Sequence, residues 1–279
     1  CLNGIPLPPA TNEIALLSPV RPGGQLTTLY RPEGKQFVGD IRLHFDVRRL
    51  LLSMPGKNGR WHVHEINVDG KGLRQVTPDL DGVDQYDACY LGDGAIIFGS
   101  TACMQGVPCV AGGDHVSNLY RLEPDGKTIR QLCFEQDHDW HPTLLNNGRI
   151  LYARWEYADV PHCFNRLLFH MNADGSEQME YYGSNSYWPN SVFYPRAVPG
   201  HPTKIVGIVS GHHGAARCGE MVIFDPARGR HEADGAIQRI GSRGRLVEPL
   251  IVDALTDASW PKFLHPWPLS EKYFLAACR

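Results

Sequence analysis

The 279-residue chain contains no apolar run long enough to cross a bilayer, so no transmembrane helix is predicted. None of its eight cysteines stands in a CxxC or CxxCH pattern, so it has no standard c-type haem attachment site of its own. A GxSxG elbow, a P-loop and HExxH are missing as well, which removes the motif-level grounds for a serine hydrolase, an NTPase or a zincin. Neither sign of charge is in excess: 27 basic against 30 acidic residues leave a formal charge of −3 without long like-charged runs. Nothing therefore favours nucleic acid or an anionic membrane surface. Apolar periodicity of 3.6 residues never extends beyond two turns. What the chain does have is turn formers, with 29 Gly and 21 Pro, as expected of many short strands.

Those strands repeat. HEINVDGKGLRQV (64–76), LYRLEPDGKTIRQL (119–132) and LFHMNADGSEQMEYY (168–182) each alternate apolar and polar residues around an Asp-Gly turn, and VIFDPARGRHEADGAIQRI (222–240) is a looser copy. The anchors Asp69, Asp125, Asp174 and Asp225 stand 56, 49 and 51 residues apart. A second hairpin accompanies each copy, as in DQYDACYLGDGAIIFGS (84–100), DWHPTLLNNGRILYARW (139–155), SYWPNSVFYPRAVPGHPTKIVGIVSG (186–211) and ASWPKFLHPWPLSEKYFLAA (258–277). GDIRLHFDVRRLLLSMPG (39–56) is the same element earlier in the chain. A four-stranded unit at this spacing predicts an all-β fold, a β-propeller of four-stranded blades. About five blades are visible and a ring of six or seven is expected. The propeller domain is read over 14–279, after an extension or linker at 1–13.

The run Asp125–Gly126, Arg130–Gln131–Leu132, Asp137–Trp140–Pro142, Asn147–Gly148 resembles the TolB-type propeller repeat, and it recurs with Asp69–Gly70, Arg74–Gln75–Val76, Asp84 and Asp93–Gly94. This resemblance is specific for fold and weak for function. The segment RWEYADVPHCFNRLLFHMNADGSEQMEYYGSNSYWPNSVFYPRAVPGHPTKIVGIVSGHHG is similar to the middle domain of proteins related to the hydrazine synthase alpha subunit. That resemblance implies an extracytoplasmic setting and a module of a larger protein. Haem would belong to flanking domains, and other domains or subunits would be the partners.

In a propeller blade, the loop entering the first strand and the loop joining the second to the third emerge at one end. That end is expected to gather His115, His138, His141, His162, His212, His213, Cys103, Cys109, Cys163 and Cys218. SGHHG, with His212 and His213 between glycines and Cys218 nearby, suits Zn²⁺ or another transition metal. The competing reading is an imidazole that packs or bonds the loop backbone. His138 and His141, with Asp137 and Asp139, are the second metal or ligand candidate. An Asp at the start of such a strand ordinarily caps backbone amides, and Trp140 reads either as a packing residue or as part of a ligand face with Asp137, Asp139, His115, His162 and Trp188. His62 and His64 alternate on one strand and so share a face. Cys103 and Cys109 share one loop and form a disulfide candidate in an oxidising compartment, while Cys89 and Cys133 read as buried free thiols.

The favoured function is a binding or scaffold module of an extracytoplasmic, haem-associated redox protein. The alternative is a metal-dependent polysaccharide lyase or hydrolase-type enzyme that uses the histidines of the loop-rich end.

Overall fold

The computed structural model describes residues 12–34, 36–156, 165–183, 186–211, 217–240 and 260–278. The chain forms two compact units, Cys1–Gln136 and Asp137–Arg279. In the first, β1 (Ile14–Ser18) and β2 (Gln25–Tyr30) form a two-stranded sheet. β3 (Gly39–Leu43), β4 (Arg49–Pro55), β5 (Trp61–Asn67) and β6 (Arg74–Gln75) form a four-stranded antiparallel sheet in chain order. β7 (Gln85–Tyr90), β8 (Ile96–Ser100), β9 (Asn118–Leu122) and β10 (Ile129–Gln131) form another.

The second unit repeats the plan. β11 (Asp139–Leu144), β12 (Ile150–Glu156), β13 (Asn165–Met171) and β14 (Met179–Tyr182) make one sheet. β15 (Ser191–Ala197), β16 (Ile205–Ser210), β17 (Glu220–Phe224) and β18 (Ala236–Ile240) make the next, joined to the first by a single parallel bridge between Arg166 and Ser191. β19 (Phe263–Pro268) and β20 (Phe274–Cys278) form a final pair. The sheets are the blades of a β-propeller: four complete blades and two two-stranded pieces among the described residues.

The turns follow from their sequence. At the tips of the third and fourth strands, the carboxylates of Asp69, Asp125 and Asp174 accept from the backbone amides of Lys71 (3.0 Å), Lys127 (2.8 Å) and Ser176 (2.9 Å). The following Gly70, Gly126 and Gly175 take φ of 80°, 68° and 87°, where a side chain would be strained. In the looser copy, Asp225 accepts instead from Ala227 (3.2 Å) and starts a short 3₁₀ turn at Pro226–Arg228.

The middle strands are apolar on both faces because both faces are covered. Along β4, Leu50, Leu52 and Met54 pack with Ile14 and Val38, while Leu51 packs on the other side with Val63, Ala88 and Phe98. Along β16, Ile205 and Val209 pack with Leu151, Trp188 and Phe224, whereas Val206 and Ile208 pack with Met221, Phe263 and Phe274. Each such side chain contributes about 1.5–3 kcal/mol by leaving water. Gly207 lies in the middle of β16, and a Cβ there would stand 2.6 Å from Val192 Cγ1 on β15. Gly207→Ala is therefore expected to destabilise the protein by about 1–3 kcal/mol through overpacking. A denaturant midpoint unchanged from the parent would refute that close approach.

Candidate functional site

The strand registers place the loops as the repeat predicts. Asp139 opposes Arg154 and Ser191 opposes Ser210, so in each blade the entry to the first strand and the exit of the second share one end. The first unit follows suit, with Gln85 opposite Ser100 and the Thr101 amide bonded to the Asp84 carbonyl (3.0 Å).

Several predicted residues at this end turn out to hold the fold. His138 is fully buried, with its ring stacked 4.5 Å from Trp140 and 5.7 Å from Trp155. The guanidinium of Arg166 lies 4.8 Å from the Trp155 ring, and that of Arg217 lies 4.9 Å from Trp140. Burial, reinforced by these two cations, holds the His138 imidazole well below its ordinary pKa, so it is neutral. Asp139, also fully buried, accepts from Arg154 Nε (3.0 Å), and the same guanidinium lies 4.6 Å from the Phe169 ring. Asp137 is buried as well. Trp188 packs in the core against Phe224 (6.1 Å). Both Trp140 and Trp188 are thus interior rings.

Ser186 Oγ lies 3.0 Å from His231 Nδ1, a pair suggestive of a nucleophile and its base. Ser186 is buried, however, and its oxygen accepts from the Glu232 amide (3.0 Å), while the Glu232 carboxylate accepts from the amides of Tyr187 (2.8 Å) and Trp188 (2.9 Å). The cluster ties the segment before β15 to the loop before β18.

His115 is half-buried at an isolated bridge with Gly106. Cys218 is half-buried, and its carbonyl accepts from Ser210 Oγ (3.1 Å). The Cys103 thiol is free and donates to the Val116 carbonyl (3.3 Å). Its proposed partner Cys109 has a side chain outside the described residues, as do His162, Cys163, His212 and His213. Cys89 and Cys133 are buried and not in a disulfide. His62 and His64 do share β5, and both are buried and hydrogen-bonded, His62 Nε2 to Asn58 Oδ1 (3.1 Å) and His64 Nδ1 to the His62 carbonyl (3.1 Å). Among the described residues, no three of His, Cys, Asp and Glu come together as a metal site.

A different set of residues emerges from the registers. In β3, the pairs Gly39–Ser53 and Arg42–Leu51 enclose three steps on the first strand against two on the second, a β-bulge. The same miscount occurs in β7 (Tyr86–Gly99, Cys89–Ile97), β11 (Trp140–Ala153, Thr143–Leu151), β15 (Phe193–Ile208, Arg196–Val206) and β19 (Leu264–Ala277, Trp267–Leu275). In all five, one bulge residue is left-handed: Asp40 (φ 51°), Asp87 (50°), His141 (55°), Tyr194 (52°) and His265 (49°). None is glycine and all are polar. Within the second unit the rings of His141 and Tyr194 are 4.5 Å apart, and those of Tyr194 and His265 are 4.2 Å apart. Within the first, Asp87 accepts from Arg42 Nη2 (3.1 Å) in a nearly buried ion pair.

Sequence reading found His141 and missed Asp40, Asp87, Tyr194 and His265. The signal was present as a polar residue at one position of GDI, YDA, WHP, FYP and LHP, three times before proline. Proline is tolerated there because the bulge interrupts the ladder, so its missing N–H leaves no ladder partner unpaired.

Comparison with known proteins agrees with this geometry at the level of fold. No protein-family model and no curated protein matches the chain. Among solved structures, hydrazine synthase of Kuenenia stuttgartiensis superposes over 92% of this chain and 37% of its own, with a TM-score of 0.69 and 17% identity. TolB of Acinetobacter baumannii covers 77% of this chain and 46% of its own (0.51, 15%), and a TolB of Agrobacterium tumefaciens covers 74% and 62% (0.50, 14%). The fold is that of a TolB-like β-propeller. The chain spans a little over a third of the hydrazine synthase chain it resembles.

Four imidazoles give this fold a pH dependence. Burial lowers the pKa of His62, His64 and His138 below the ordinary 6.5, and that of His170 to about 4. Each is bound as the neutral base, so its contribution is complete above the unfolded-state value and is lost as pH falls beneath it. Thermal melts are expected to show Tm falling steadily from neutral pH toward about pH 4. A flat profile over that window would contradict the buried, neutral assignment.

Proposed function

We propose that this chain is a binding or scaffold module of a larger extracytoplasmic protein, docking against a haem-bearing domain or subunit. The observation that carries this reading is the superposition of nearly the whole chain on about a third of the hydrazine synthase chain. A fold that serves as one part of a longer chain elsewhere serves best here as a part too. The buried character of Asp137, His138, Asp139 and Trp140 supports the same view, because these polar residues stabilise the blade rather than present a reactive surface. The metal-dependent enzyme reading would draw on His138, His141, His212 and His213.

The native full-length protein, tagged and purified gently, distinguishes the two. The module reading expects this propeller to co-elute with a haem absorbance and to cross-link to the haem-bearing segment. No haem in the eluate, or a stoichiometric metal that is lost in His212→Ala with His213→Ala and accompanies polysaccharide-cleaving activity, would displace it.

A further inference from the structure

The loops at the shared end of the blades are uneven in length. In the first unit, β4 and β5 are joined by the five residues 56–60, but β8 and β9 are joined by the seventeen residues 101–117. A loop of that length with no strand of its own ordinarily carries function. This one is firmly built. Val107 and Val116 are fully buried, the Val107 amide donates to the Asp114 carbonyl (2.8 Å), and the Val116 amide donates to the Gln105 carbonyl (2.9 Å). Gly106 lies so close to Gly112 that a Cβ on it would stand 2.7 Å from the Gly112 Cα. The same loop holds Met104 and Ala111 on left-handed backbone, at φ of 55° and 52°, and exposes both. Strain kept in a rigid, exposed loop points to a use for its surface.

The neighbouring loops continue that surface. Met104 is 60% exposed, and Val110 is exposed in the same loop. Leu80 is exposed in the loop entering β7, and Phe134, 73% exposed, lies in the loop leaving β10. Hydrogen bonds tie the loops together: Asn58 Nδ2 donates to Asp79 (3.3 Å), the Asp84 amide to Thr101 Oγ1 (2.9 Å), and Asn118 Nδ2 to the Glu135 carbonyl (3.3 Å). Aromatic residues and Met are enriched in the centre of protein interfaces, with charge at the rim. Here the rim is mainly acidic. Asp79 and Asp81 flank Leu80 and are exposed, and Asp114 and Glu135 are half-buried. Of the bases, Lys57 is exposed and Arg60 is paired with Asp84 (3.4 Å).

We propose that these loops of the first unit are the surface by which the module docks, with Met104, Val110 and Phe134 in its apolar centre, and that the matching surface on the haem-bearing segment is apolar with a rim of lysine and arginine. The proposal rests on the docking role given above and adds the face and the chemistry of its partner.

The test places the photo-cross-linking residue p-benzoylphenylalanine at position 134 of the native full-length protein, or at position 73, where Leu73 is exposed beside the Asp-Gly turn at the opposite end. Irradiation at position 134 is expected to join the propeller to a Lys- and Arg-rimmed surface of the haem-bearing segment, and irradiation at position 73 is not. Asp81→Lys is expected to lower the yield from position 134 by about fivefold at low salt, because a rim charge steers the approach of an oppositely charged surface. A haem-bearing segment that co-purifies but is reached from position 73, or from neither position, would overturn the proposed face and leave the docking role standing. A link from position 134 to a second copy of this chain, or a yield untouched by Asp81→Lys, would overturn the proposed partner chemistry. Purified protein with no haem-bearing segment would remove the docking role and this proposal with it.

Discussion

Both faces of a propeller blade must be covered, and most of the sequence answers to that requirement. A strand such as β16 cannot alternate apolar with polar residues, because Ile205 and Val209 face one neighbour while Val206 and Ile208 face the other. Its one small residue, Gly207, stands where Val192 leaves no room for a Cβ. The same need explains why polar side chains inside the blades come already partnered. Arg154 meets Asp139, Arg239 meets Glu220, and Glu65 meets Arg74 with the Tyr90 hydroxyl. Removing one member of the Arg154–Asp139 or Arg239–Glu220 pair strands the other in a poorly solvated place, at a cost of about 3–5 kcal/mol. These pairs therefore fix which blade face goes where more than they add net stability.

That logic accounts for the cluster DHDWH at the start of β11. Its density looked like a site because aspartate, histidine and tryptophan together are the usual material of sites. The structure spends Asp139 on Arg154 and stacks His138 against two indoles. His138 stays neutral chiefly because it is buried, and the Arg217 and Arg166 cations add to that. Only His141 at the end of the run stands on strained backbone in ring contact with the next blade.

The fold was legible because its signals are local. Asp-Gly turns, alternation and the length of the repeat lie within a few residues of one another, and each translates directly into a backbone conformation. The candidate site was legible in part, for a physical reason. A bulge exists only as a mismatch between two strands, Tyr194 against Ile208 and Val206 for instance, so no single strand displays it. Aligning the blades by their turns would have stacked Asp40, Asp87, His141, Tyr194 and His265 in one column. The pairing of Arg42 with Asp87 crosses 45 residues and needs the blades side by side before it can be seen.

The column carries an energetic argument of its own. A non-glycine residue in the left-handed region costs about 1–2 kcal/mol, and tyrosine is among the worse occupants. Glycine would relieve that strain at every one of the five positions, and the chain places glycine freely at its turns, at Gly70, Gly126 and Gly175. Instead each bulge keeps a polar side chain, acidic in the first unit and aromatic in the second. Asp87 repays the strain by neutralising a nearly buried guanidinium. His265 is exposed, and its ring lies against that of Tyr194. In the second unit the strain is set against ring packing, His141 on Tyr194 and Tyr194 on His265, rather than against an ion pair of bulge residue and arginine as in the first.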